Sequence, residues 1–141
     1  MTMPIRQAFR EPVNAVTHLF GALGCIVMSV VLVIQSHGDL SLTIAYIVFG
    51  LSALMLYGAS TAYHTYPTTS TILQRLDHSA IYFMIAGTHT PICFLGLEGR
   101  YRYGVLIAQW SLALIGLVAN LKWGKAPMAI RLPIYLLMGW M

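Results

Sequence analysis

Charge is what this sequence has least of. Of its 141 residues only 9% are Asp, Glu, Lys or Arg, and only four are acidic, against roughly a quarter charged in an ordinary soluble domain. With 58% hydrophobic residues, a soluble fold would have too little polar surface to cover its core. Cysteine is equally sparse. Cys25 and Cys93 are the two present, and neither sits in a C-x-x-C pair, which excludes a disulfide framework and a redox motif and leaves them as small packing residues. No phosphate-binding loop and no nucleophile elbow occurs. The net charge of +4 is scattered rather than gathered into a stripe, so nucleic acid is not an expected partner.

What the sequence does have is long uncharged runs. About 20 apolar residues cross a hydrocarbon core, and four stretches qualify: Ala15 to Gln35, Leu40 to Tyr63, Ser79 to Leu97 and Tyr103 to Leu121. A fifth starts near Leu132 and stops at Met141. Lipid accepts helices because they satisfy their own backbone hydrogen bonds. The expected fold class is therefore all-α, a polytopic transmembrane helix bundle in one domain over residues 1–141, with four complete spans and a truncated fifth. A cleaved secretory signal over the first run is disfavoured by its length and by the lack of a small-x-small site after it.

Short connections are expected at Ser36 to Asp39, Thr65 to His78 (with Pro67 and a Thr/Ser run), Glu98 to Arg102, and Lys122 to Arg131, making neighbouring helices antiparallel. An N-terminus on the inner side puts Arg6, Arg10, Arg75, Lys122, Lys125 and Arg131 inside and Arg100 and Arg102 outside. Six against two agrees with the positive-inside bias.

Ionisable side chains in or beside spans are costly, so their placement carries information. With this topology His18, His64, Asp77 and His78 fall at one membrane depth, contributed by three helices. Glu11, Asn14 and His18 stand at i, i+3 and i+7, and Tyr57, Ser60 and His64 repeat the spacing, so each trio shares a helix face. His78, Tyr82 and His89 also line up. An imidazole beside a carboxylate, as with His64 and Asp77, suits zinc binding or proton handling. The competing reading is that these are capping or interfacial residues. Glu11 has the alternatives of capping the first helix or pairing with Arg10.

Other features read more plainly. His89 in Gly87-Thr88-His89-Thr90-Pro91 reads as part of a proline kink whose freed backbone group neighbouring hydroxyls satisfy. His37 is a solvated turn residue. Gly21, Gly24, Gly50, and Gly58 with Ala59 are expected where helices pack closely. Trp110 and Trp123 are packing or interfacial groups.

Glu11-x-x-Asn14-x-x-x-His18, Ser60-x-x-x-His64 and Leu76-Asp77-His78-Ser79-Ala80-Ile81-Tyr82 together resemble the hemolysin III family, the bacterial branch of the progestin and adipoQ receptor superfamily. The likeness continues through Ala86-Gly87-Thr88-His89-Thr90-Pro91 and Tyr135-Leu136-Leu137-Met138-Gly139-Trp140. The resemblance implies a seven-helix protein of the bacterial plasma membrane with its N-terminus in the cytoplasm and zinc near the inner face. It implies His64 as a zinc ligand, Ser60 and Asp77 beside the metal and its water as the catalytic candidates, and Glu11, Asn14, His18 and His78 in support. The family's other zinc ligands come from a His-x-x-x-His motif on a last helix, which these 141 residues do not contain. The expectation is a fragment of a longer protein. Membrane lipids are the expected partners, with a homo-oligomer left open. A homeostasis or sensor protein is the first functional reading, a zinc-dependent lipid amide hydrolase the second, and a cytolytic pore the least supported.

Overall fold

The computed structural model describes residues 10–66, 70–122 and 127–141. Expectations for Arg6, Pro67, Trp123 and Lys125 lie outside the described residues. All regular structure among those described is helical: α1 (Pro12–Gln35), α2 (Leu40–Thr65), α3 (Thr71–Gly96), α4 (Gly99–Lys122) and α5 (Met128–Trp140). The first four are long and apolar enough to cross a membrane, and at 1.5 Å per residue each is roughly 36–39 Å long, above the roughly 30 Å of hydrocarbon.

Local sequence sets the ends. Pro12 opens α1, where its missing N–H costs nothing. The turn after α1 places His37 and Gly38 at φ 49° and 85°. Asp39 then caps α2 by accepting from the Leu42 N–H at 2.9 Å. Ser70 caps α3 by accepting from the Leu73 N–H at 3.3 Å. That cap starts α3 eight residues before the apolar run does, so most of the connection expected at Thr65 to His78 is helix. Hydropathy marks the stretch that suits hydrocarbon, and a helix runs past it wherever a cap permits.

The helices pack in chain order, α1 on α2, α2 on α3 and α3 on α4, with α5 set more lightly against α3 and α4. Small residues dominate the contacts: Ala45, Ala53, Ala80, Ala86 and Ala113 are buried, while Phe20, Ile34, Leu40 and Ile107 face outward. Lipid is as apolar as leucine, so close backbone approach rather than apolar burial drives such packing. A Cβ on Gly21 would meet the Tyr57 ring, and one on Gly50 would meet the Ser29 side chain, as close packing requires. Gly24 and Gly58 instead have open space beside them among the described residues.

The best-packed region lies between α3, α4 and α5, where Tyr82, Ala86, Ala113 and Met138 are fully buried. Gly116 admits the Tyr82 ring. Asn120 donates to the Arg75 carbonyl at 2.9 Å and to Ser79 Oγ at 2.8 Å. Gln109 donates to the Met138 carbonyl at 2.6 Å. Near Pro91, α3 stays helical. Thr88, His89 and Thr90 reach back to the carbonyls of Met84, Ile85 and Ala86 at 2.8, 2.9 and 2.9 Å, and Trp110 donates to Thr90 Oγ1 at 3.2 Å. The side-chain bonds thus take the three carbonyls before the one at Gly87 that proline frees.

Candidate functional site

The antiparallel order brings the start of α1, the end of α2 and the start of α3 to one end of the bundle. There the backbone N–H of Glu11 donates to the His64 carbonyl at 3.1 Å, fastening the entry of α1 to the last turn of α2. Around that bond the side chains form a compact polar cluster.

Glu11 is its centre. Its carboxylate accepts from Arg10 Nη2 at 3.1 Å and from Asn14 Nδ2 at 2.7 Å, and lies 2.9 Å from His64 Nδ1. That last approach has ion-pair distance without hydrogen-bond alignment, since His64 Nδ1 has no aligned partner. Glu11 makes no side-chain cap bond, so pairing takes it rather than capping. The Asn14 amide first, then His64 and Arg10, hold its carboxyl below the ordinary value of 4.5, against an opposing desolvation. Arg10 stacks over the Tyr63 ring, 3.9 Å from its centroid.

His18 completes the cluster from α1. Its ring stacks on His64 with centroids 5.6 Å apart and planes 11° from parallel, and it meets Tyr57 at 5.8 Å. Two of the three spaced residues thus meet α2, Glu11 at His64 and His18 at Tyr57 and His64, whereas Asn14 is exposed and bonds to Glu11. Ser60, one turn before His64, is buried.

The α3 residues behave differently. Asp77 is half-buried at the same end, and among the described residues no hydrogen bond or ion pair joins it to His64. His78 meets α5, with Arg131 Nη1 2.9 Å from its Nδ1 and the Tyr135 hydroxyl donating to its carbonyl at 3.1 Å. The sequence reading gave no contact role to Tyr63, Arg131, Tyr135, Gln109 or Asn120. Gln109 and Asn120 carried a usable signal, since two amides eleven residues apart in an apolar span share one helix face.

A zinc ion asks for three or four N, S or O donors at about 2.0–2.3 Å. The buried Nδ1 atoms of His18 and His64, both without hydrogen-bond partners, suit such an ion in kind. Number falls short: among the described residues no three His, Cys, Asp or Glu side chains are grouped to hold a metal. The described geometry therefore offers part of a donor set.

Comparison with known proteins agrees with the motifs. The chain is 39% identical over 135 residues to the hemolysin-3 homolog of Bacillus subtilis (strain 168), covering 93% of this chain and 63% of that protein. It is 34% identical over 145 residues to hemolysin-3 of Bacillus cereus, covering 100% of this chain and 66% of the relative. The chain thus spans slightly less than two thirds of the length of these relatives. No solved structure matches it. The family described as haemolysin-III related matches residues 6–141, and with four membrane-spanning helices carrying that match the chain belongs to this family of multi-pass membrane proteins.

Proposed function

We propose that this is a bacterial plasma-membrane protein of membrane homeostasis, in which α1 and α2 respond to the state of the surrounding lipid. The observation that carries the reading is the contrast within α1. Its span is barely buried, its extensive contact is with α2 alone, and its entry is held by the polar cluster around Glu11 and His64. An exposed apolar helix gains or loses favourable lipid contact as bilayer thickness changes. A polar cluster at its end resists being drawn into hydrocarbon. Between α1 and α2 an apolar groove of about 420 Å³, lined by Ile26, Val30, Ile47 and Leu51 among others, is open at the surface of the described helices.

The N-terminus is cytoplasmic in this reading, supported by Arg10, Arg75, Lys122 and Arg131 at the cluster end against Arg100 and Arg102 at the other. Zinc belongs to the proposal as a structural ion, with His64 as a ligand and further donors outside the described set. Bound there, it would cross-link the elements that supply its ligands.

Membrane order in a strain lacking the gene, followed with a polarity-sensitive lipid dye across growth temperatures, tests the role. The expected result is altered order restored by the wild-type gene and not by His64→Ala. Unchanged order in the deletion strain overturns it. Multiple-turnover release of fatty acid from lipid amides by the purified protein would replace it with the hydrolase reading.

A further inference from the structure

Away from the polar cluster, the described helices leave a second apolar groove, between α2 and α4 with α3 as its floor. Two cavities make it up, of about 310 and about 260 Å³, and both are lined by Met55 and Phe83, so they run on into each other. Gly58, Leu76 and Leu117 line the end nearer the cluster, and Val48 and Trp110 line the far end. Small residues make the hollow: a Cβ on Gly58 meets nothing within 4 Å. The polar side chains of the lining are already engaged. Ser52 donates to the Val48 carbonyl at 2.9 Å, Trp110 donates to Thr90 Oγ1 at 3.2 Å, and Ser79 Oγ accepts from Asn120 at 2.8 Å. Such a lining suits a hydrocarbon chain and not a polar ligand.

Depth selects the kind of chain. Counted at 1.5 Å per residue from the middle of each helix, Leu76 lies about 11 Å and Leu117 about 10 Å toward the cluster end, while Phe83 and Trp110 lie within about 1 Å of the middle. Half of the hydrocarbon layer is roughly 15 Å thick. The groove thus runs from just inside one hydrocarbon boundary to the bilayer midplane, the reach of one acyl chain of one leaflet. It also faces away from the cluster. Leu51, Met55 and Gly58 stand about 150° round α2 from Tyr57, Ser60 and His64, and on α3 Leu76 and Phe83 stand on a different side from His78 and Tyr82, which engage α5.

Charge at the mouth selects the headgroup. On the three helices that wall the groove, the charged residues at the cluster end are Arg75, Asp77 and Lys122, leaving one net positive charge. Arg75 and Lys122 lie about 13 and about 17 Å from the middle of their helices, at headgroup depth. Lys122 is exposed and Arg75 half-buried, and a guanidinium has donors for more than one partner. An anionic headgroup is the complement of this mouth.

We propose that the groove holds one acyl chain of an anionic phospholipid from the leaflet at the cluster end, with the headgroup beside Lys122 and Arg75. The proposal shares only the membrane setting with the homeostasis reading, so its failure leaves that reading standing. Trp110 reports on the chain directly. The test uses the full chain with Trp123→Phe and Trp140→Phe, which leave Trp110 as its one tryptophan, in bilayers of zwitterionic phospholipid. Into these is titrated phospholipid carrying bromine, a contact quencher of indole fluorescence, near the end of one acyl chain. The anionic brominated lipid should quench Trp110 with an apparent affinity about fivefold above that of its zwitterionic counterpart, the weight of one basic charge at a membrane surface. This comparison needs no change to the groove. Lys122→Gln should bring the two affinities together, and Gly58→Leu, whose side chain enters open space in the groove, should lower quenching by both lipids. Equal affinities without these two substitutions overturn the proposal, since ordinary boundary lipid then fills the groove. A preference that Lys122→Gln leaves intact, or quenching that Gly58→Leu leaves unchanged, overturns it equally.

Discussion

Glycines separate two kinds of residue that look alike in the sequence. A Cβ at Gly116 would lie 2.5 Å from the Tyr82 ring, whereas one at Gly24 meets nothing within 4 Å. Gly116→Ala should therefore destabilise by about 1–3 kcal/mol through overpacking. Gly24→Ala should be neutral, or stabilising by up to about 1 kcal/mol from helix propensity. Unfolding of both variants in mixed micelles checks the pair, and equal effects would contradict the packing described. Glu11 makes a pH prediction of definite sign. Its folded-state carboxyl is held below the ordinary 4.5, so its contribution to stability is present above the unfolded value and is lost as pH falls through the lower folded one. Glu11→Gln should thus flatten the acid limb of the melting-temperature profile slightly, because the side chain is 42% exposed and solvent screens it. A profile identical to wild type would remove Glu11 from the clasp.

Helix identity was readable along the chain, and helix ends were less so. Four spans emerge from apolar length alone, because hydrocarbon penalises charge and unpaired backbone. The start of α3 did not, since Arg75 and Asp77 fall outside the apolar window while Ser70 still caps a helix that contains them. The cluster was partly readable: helical spacing put Glu11, Asn14 and His18 on one face and Tyr57 and His64 on another. Which helix each face meets depends on tertiary packing, and so His78 turned out to engage α5. Asn120 is the sharpest element-scale test. It is fully buried and joins α4 to α3 through the Arg75 carbonyl and Ser79 Oγ. Interhelical hydrogen bonds of this kind are worth about 0.6–2 kcal/mol, and Asn120→Ala should lose that much in a reversible unfolding assay. No loss would mean that apolar packing alone aligns these helices.

At the scale of the molecule, packing among the described residues is uneven, with α3, α4 and α5 enclosing the buried core while α1 packs extensively on α2 alone. The proposed zinc ion would add to this order near His64. Stripping metal from the purified protein should lower its melting temperature, and His64→Ala should abolish that difference. Equal melting curves with and without chelator would remove zinc from this account.

The central claim, that α1 and α2 respond to lipid, is tested most directly by distance measurement across their clasped end. Spin labels at Val13 and Tyr66, both exposed and close to the Glu11 and His64 fastening, can be read in nanodiscs of short-chain and long-chain lipids. The account predicts a distance distribution that shifts with bilayer thickness and broadens when Glu11→Gln and His64→Ala are combined. A distribution unchanged from the thinnest to the thickest bilayer would contradict it.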